Sequence, residues 1–193
     1  SPISYAYSCS DVTVTDAAQH ITHLYYNAFG NPDEKWLDSV TDANNTTFSY
    51  NYNIVGSLTS ITQGATSRGT YTFNTKNFLT AESTPEKGNI TYGRDNVGNM
   101  TSKSDALGTV HYGYDNNYRL KTITYGTNTV TFGYDGANNR TSMDDPGALI
   151  DYTYDGANRL TQKTETIGTR TYYTDYSYDG NDNVTDIYYP PSG

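Results

Sequence analysis

From Val110 to Tyr125 the chain reads VHYGYDNNYRLKTITY, two runs of alternating large and small or polar side chains on either side of DNNYR. Alternation with period two is the signature of a strand that has one apolar face. The interruption opens on an Asp, whose carboxylate can fold back onto backbone N–H groups and start a turn. Strand, short loop and strand make a hairpin. The same phrase returns as DYTYDGANRLTQ at 151–162 and as TDYSYDGNDNVTD at 174–186.

Taking the second aromatic of each phrase as position zero gives eight copies, at Tyr26, Tyr52, Phe73, Arg94, Tyr114, Tyr134, Tyr154 and Tyr178. The middle copies are 20 or 21 residues apart, the first interval is 26 and the last 24. Such a period marks a repeat architecture, in which one small unit stacks on its neighbours. Two residues before zero stand Leu24, Tyr50, Tyr71, Tyr92, Tyr112, Phe132, Tyr152 and Tyr176, on the same strand face as the zero column. The residue after zero is always Asn or Asp: Asn27, Asn53, Asn74, Asp95, Asp115, Asp135, Asp155 and Asp179. Three positions later come Gly30, Gly56, Asn77, Gly98, Tyr118, Asn138, Asn158 and Asp182, mostly residues that tolerate positive φ. An apolar residue usually opens the return strand (Leu58, Leu79, Met100, Leu120, Leu160, Val184), which ends in a second turn such as TDAAQH, TDANNT, SDALGT or DDPGAL.

The pattern predicts an all-β chain: a single array over residues 1–193, with about eight hairpins between 15 and 187, or some sixteen antiparallel strands. The first copy is irregular, with an insertion at 31–41 that brings in Trp36, as either a cap on the array or a surface excursion. Residues expected to build the repeat core are Tyr50, Tyr52, Tyr112, Tyr114, Asp115, Tyr134, Asp135, Tyr152, Tyr154, Asp155, Tyr176, Tyr178 and Asp179. Accumulated strand twist makes so wide a sheet coil or close on itself.

Composition changes the picture at two points. Leu, Ile, Val and Phe supply only 30 of 193 residues at a net charge of −9, a balance that suits disorder. The 21 tyrosines reverse that reading, because each ring buries apolar area and leaves its hydroxyl to a polar partner. With 12 Lys and Arg in no cluster, a nucleic-acid partner is not expected. No run is apolar and long enough for a membrane helix, and SPISYAYSCS lacks an initiator Met and a signal core, so the chain reads as a soluble processed product or fragment. Cys9 is the single cysteine and can bridge only to another chain; the alternative is a free thiol.

Candidate chemistry is sparse. His20 and His23 lie near Asp16, but on a strand i and i+3 face opposite ways and would not converge on a metal. His111 is isolated. The Asp column recurs in every unit, which suits a turn device better than a catalytic pair, and calcium is the weaker alternative for those loops. No Gly-rich phosphate loop, nucleophile elbow or C-x-x-C is present. Sequons at Asn45, Asn89, Asn99, Asn139 and Asn183 mostly fall in the repeat register. No enzyme activity, cofactor or metal is expected.

The phrase YxYDxxGxL, as in YNYNIVGSL, YGYDNNYRL and YTYDGANRL, resembles the YD repeat of the Rhs-repeat family, which includes bacterial toxin shells, wall-associated proteins and teneurin extracellular regions. The resemblance implies a β-strip spiralling into a hollow shell that encloses or displays something else and does no chemistry itself. Toxin-bearing members end the shell near a DPxGL segment. Here DDPGAL, at Asp145, Pro146 and Gly147, lies within the array and reads as an inter-strand turn. Family shells hold many more repeats, so this chain is either a piece of a longer array or a subunit that completes its sheet with copies of itself. The expected role is a non-enzymatic structural protein, secreted and exposed at a cell surface, that builds a shell, stalk or filament by edge pairing. The alternative is an adhesion module that binds a glycan or surface protein through its tyrosine faces.

Overall fold

The computed structural model describes residues 3–7, 10–28 and 35–189. Cys9, Gly30 and the 31–34 part of the expected insertion lie outside the described residues. Every regular element is a strand: β1 (Ser4–Tyr7), β2 (Asp11–Thr15), β3 (Ile21–Ala28), β4 (Lys35–Thr41), β5 (Thr47–Tyr52), β6 (Leu58–Gln63), β7 (Thr66–Phe73), β8 (Leu79–Thr84) and β9 (Gly88–Arg94), then β10 (Met100–Asp105), β11 (Gly108–Tyr114), β12 (Leu120–Tyr125), β13 (Asn128–Tyr134), β14 (Arg140–Asp145), β15 (Ala148–Tyr154), β16 (Leu160–Ile167), β17 (Arg170–Tyr178) and β18 (Val184–Tyr188). The chain divides into two units, Ser1–Arg94 and Asp95–Gly193. In the first, β1 to β9 pair with their chain neighbours as an antiparallel meander. In the second, β10 to β18 do the same.

Lys35–Thr41 is the return strand β4, with Leu37 opposite Tyr26 just as Leu58 is opposite Tyr52 and Leu120 opposite Tyr114. Trp36 therefore holds a regular repeat position. One further hairpin, β1–β2, precedes the eight aligned copies: Tyr5 and Tyr7 lie opposite Val14 and Val12, and this pair carries no register shift.

Each aligned hairpin described within a unit has a β-bulge at the zero column. Gly113 pairs with Thr122 and Tyr114 with Leu120, so Lys121 is the extra residue; Thr141, Thr161 and Thr185 are extra in the next three. A bulge tightens the local twist and re-aims the adjacent side chain. Here it lies beside the ring whose hydroxyl reaches the preceding hairpin.

The two faces differ. One carries the rings with aliphatic cross-strand partners, such as Tyr112 opposite Ile123, Ile123 opposite Val130, and Phe132 opposite Met143. The other carries hydroxyl pairs, including Thr41 with Thr47 (2.8 Å) and Thr124 with Thr129 (3.1 Å). The buried hydrophobic residues among those described are Ile90 and Val130, 5% and 6% exposed, both four residues before the zero column on the ring face. With so little fully enclosed, cross-strand pairs and polar lacing must supply much of the cohesion.

Candidate functional surface

In the seven loops from Asn53 to Asp179, the Asn or Asp after position zero uses one side-chain oxygen to accept backbone N–H groups two and four residues on. Asp115 Oδ1 takes those of Asn117 and Arg119, each at 2.9 Å; Asp135 those of Ala137 (2.9 Å) and Asn139 (2.8 Å); Asp155 those of Ala157 (2.9 Å) and Arg159 (3.0 Å). Asn53, Asn74, Asp95 and Asp179 do the same. The column three residues further has positive φ in all seven described copies, from Gly98 at 103° to Tyr118 at 60°. TDAAQH and TDANNT are this same loop, organised by Asp16 and Asp42 with positive φ at Gln19 and Asn45.

Tyr118 is the costly member of that column. A left-handed conformation costs an ordinary L-residue about 1–2 kcal/mol, and Tyr118 is 62% exposed, so it recovers little by packing. Tyr118→Asn, copying Asn138 and Asn158, is expected to raise unfolding stability by about 0.5–1 kcal/mol in urea titration.

In the zero column, five hydroxyls donate to the carbonyl that opens the return strand of the preceding hairpin: Tyr52 to Leu37 (3.0 Å), Tyr114 to Met100 (2.9 Å), and Tyr134, Tyr154 and Tyr178 to Leu120, Arg140 and Leu160 at 2.8 Å each. Arg94, which replaces the ring in the fourth copy, sends Nε to the carbonyl of Leu79 at 3.3 Å, the equivalent acceptor. The substitution changes the side chain and keeps the connection.

A third set sits just past the positive-φ residue, in the column Trp36, Ser57, Phe78, Asn99, Arg119, Asn139, Arg159 and Asn183. Four of these side chains, Ser57, Arg119, Asn139 and Arg159, tie their loop to the next. Arg119 Nε binds its own Asp115 at 2.7 Å, while Nη1 donates to the Asp135 carbonyl and Asn138 Oδ1, both at 2.9 Å. Asn139 donates to Asp135 and Asn158, both at 2.9 Å. Arg159 binds Asp155 at 2.7 Å and Asp182 at 2.8 Å. The guanidinium groups of Arg119 and Arg159 also lie over the rings of Tyr134 and Tyr178, at 4.6 and 4.7 Å. Trp36 fills the same place against Tyr52, with ring centroids 5.4 Å apart. The sequence columns did not single out these ladder residues; a polar donor after each positive-φ residue, in six of the seven copies from Ser57 to Asn183, was the available signal.

These bonds shift the loop carboxyls. The Arg119 backbone N–H and side chain hold Asp115 below the usual carboxylate range; Asn139 does so for Asp135, the Arg159 backbone and side chain for Asp155, and Asn183 for Asp179. A carboxyl whose pKa is lower folded than unfolded stabilises above its unfolded value, and that contribution disappears as pH falls through the folded value. Stability is therefore expected to be flat from pH 7 to about 5 and to fall below about pH 4, as followed by circular dichroism in a pH series. Replacing Asp135 with Asn should flatten that fall.

His20 lies in the turn before β3, and it and His23 border one cleft together with Asp42. The opposite-face rule applies only to two strand positions, so it does not separate them. His20 is held by Asp16 at 2.9 Å and His23 by Thr13 Oγ1 at 3.2 Å, and among the described residues no group of three or more His, Cys, Asp or Glu is placed to hold a metal ion.

A family model for the RHS repeat matches residues 94–130. No curated protein matches the chain. Among solved structures, the crystal structure of TcdB2-TccC3-Cdc42 is 14% identical with a TM-score of 0.62, covering 96% of this chain and 12% of that one. TcdB2-TccC3 without its hypervariable C-terminal region is 14% identical with a TM-score of 0.51, covering 97% of this chain and 12% of that one. At such identity the likeness speaks for the fold, and this chain spans a small part of either neighbour's length. The chain thus carries a match to the RHS repeat at 94–130, within a tandem hairpin array whose fold is similar to that of the TcdB2-TccC3 structures.

Proposed function

We propose that the chain is a non-catalytic building element of an extracellular shell, stalk or filament, extended by adding YD hairpins edge to edge. The observation that carries this reading is that β18, exposed along its length, repeats the connector positions of the inner hairpins. Val184 stands in the column whose carbonyls accept the zero-column tyrosines, and Asn183 in the column whose side chains tie one loop to the next. Within its unit β18 pairs with β17 alone, and all five of its residues are exposed. In the first unit, among the described residues, β1 pairs with β2 alone, and its backbone register sets positions 5 and 7 in the two ring columns. A strand with free edge groups and exposed apolar side chains is a template for another strand, and a head-to-tail contact of this kind is open-ended.

Sedimentation velocity across a concentration series tests it. The expected result is a mass that grows with concentration in the unaltered protein and stays near 21.4 kDa in a Tyr5→Lys, Ile187→Lys variant. A constant 21.4 kDa for both proteins would remove the proposal.

A further inference from the structure

Three loops of the second unit carry an Asp-Gly pair, Asp135-Gly136, Asp155-Gly156 and Asp179-Gly180, and the sequence holds no other and no Asn-Gly. A glycine after Asp leaves its amide nitrogen unshielded, so that nitrogen can attack the side-chain carbonyl carbon once the two are brought together. The folded loops hold the side chain away from this reaction. Oδ1 of each Asp accepts two backbone N–H groups, and Oδ2 is held by Asn139 (2.9 Å), Arg159 (2.7 Å) or Asn183 (2.9 Å). Ring closure requires these bonds to break, so the rate follows how often each loop opens.

The three loops are not held equally. The Asp135 loop is tied on both sides, since Arg119 donates to the Asp135 carbonyl and to Asn138, and Asn139 donates onward to Asn158. The Asp155 loop receives that Asn139 bond and sends Arg159 to the Asp179 carbonyl (3.2 Å) and to Asp182. The Asp179 loop has the Arg159 tie alone. The Asn183 side chain turns back to Asp179, residues 180–189 are exposed, and β18 pairs within its unit with β17 alone. An end element with one neighbour opens more often than those inside it.

We infer that Asp179 is a site of spontaneous isoaspartate formation, which the fold confines to the last hairpin and suppresses at the two Asp-Gly pairs inside it. The Gly180 nitrogen bonds to Asp179 Cγ, and the amide proton and the carboxyl hydroxyl leave as water, giving a succinimide. Water then adds at either carbonyl. Addition at the main-chain carbonyl leaves the peptide running through Cβ and Cγ, with the carboxylate on Cα. No oxidant or reductant is consumed. The main chain is then one carbon longer, and the carboxylate no longer stands where the N–H groups of Asn181 and Asn183 reach it, so the terminal loop comes apart before the others. The reaction needs no second copy, so its failure and the failure of edge pairing are separate results.

The three pairs fall on separate tryptic peptides, beginning at Thr122, Thr141 and Thr171, so electron-transfer mass spectrometry counts isoaspartate at each one independently. The unaltered protein is incubated in dilute solution at about pH 6, where it is folded and a fraction of each carboxyl is protonated. The expected result is conversion at Asp179 about tenfold faster or more than at Asp135 and Asp155, and similar rates at all three in denaturing urea. Gly180→Ala adds a carbon with nothing within 4 Å of it, so the loop is kept while the nitrogen is shielded, and the Asp179 signal should be lost. Equal rates at the three positions of the folded protein, or no isoaspartate at Asp179, overturn the inference, as does a signal that Gly180→Ala leaves intact.

Discussion

Replacing Tyr134 with Ala is expected to cost about 2–4 kcal/mol of unfolding stability, among the largest effects of any single side chain in the array. The ring is half-buried on the face that holds Val130, the Arg119 guanidinium lies over it at 4.6 Å, and its hydroxyl donates to the Leu120 carbonyl at 2.8 Å. The change removes packing, a cation–π contact and a hydrogen bond between successive hairpins together. Tyr134→Phe separates them. It keeps the ring and leaves the Leu120 carbonyl without its donor, so about 1 kcal/mol is expected. Phe73 is the same experiment already present in the sequence: its ring has no hydroxyl to offer the preceding hairpin, and Phe73→Tyr should recover a similar amount. Urea titrations of the three variants measure all of this. If Tyr134→Phe matched the unaltered protein while Tyr134→Ala fell, the hydroxyl lacing would contribute nothing and the rings would act by packing alone.

Gly56→Ala is the second large effect, at about 2–3 kcal/mol. Gly56 has φ of +86°, and a Cβ there would lie 2.6 Å from Trp36 Cζ2. The substitution is strained twice, by a left-handed backbone and by an indole ring that would have to move. Gly64→Ala is the matched comparison. Its φ is +57° with nothing within 4 Å of the added carbon, so only the backbone cost of about 1 kcal/mol remains. Because the displaced ring is the single Trp, Gly56→Ala should also change Trp36 emission in the folded state, whereas Gly64→Ala should not. Equal costs for both substitutions would mean that the indole yields freely.

Much of the fold was legible because its unit is short and each column answers one local demand. Rings two apart define a face, an Asx side chain opens the loop, and a residue tolerant of positive φ closes it; Tyr118 took that backbone although nothing in its chemistry favours it. What stayed hidden depends on register. That the Tyr154 hydroxyl reaches the Arg140 carbonyl, 14 residues back, follows only once the bulge at Thr141 and the β14–β15 pairing set which return-strand residue faces the ring. For the same reason Arg94 looked like a break in the pattern, when its Nε makes the connection that a tyrosine hydroxyl makes elsewhere. Trp36 looked like part of an insertion, because the intervening residues displaced it from the count that pairing with β3 restores. The β1–β2 hairpin was passed over because SYAYSCSDV lacks the Asx loop, although its two tyrosines lie in phase with Tyr26.

The central claim is that one set of connectors, zero-column hydroxyl to carbonyl and ladder side chain to the next loop, joins hairpins within the chain and goes on to join them between chains. Cryo-electron microscopy of the purified protein over a range of concentrations tests this most directly. The account predicts elongated assemblies in which β18 of one copy lies antiparallel to β1 of the next, with the Val184 carbonyl accepting the tyrosine hydroxyl that arrives in the zero column. Uniform single particles of 21.4 kDa at every concentration would contradict it.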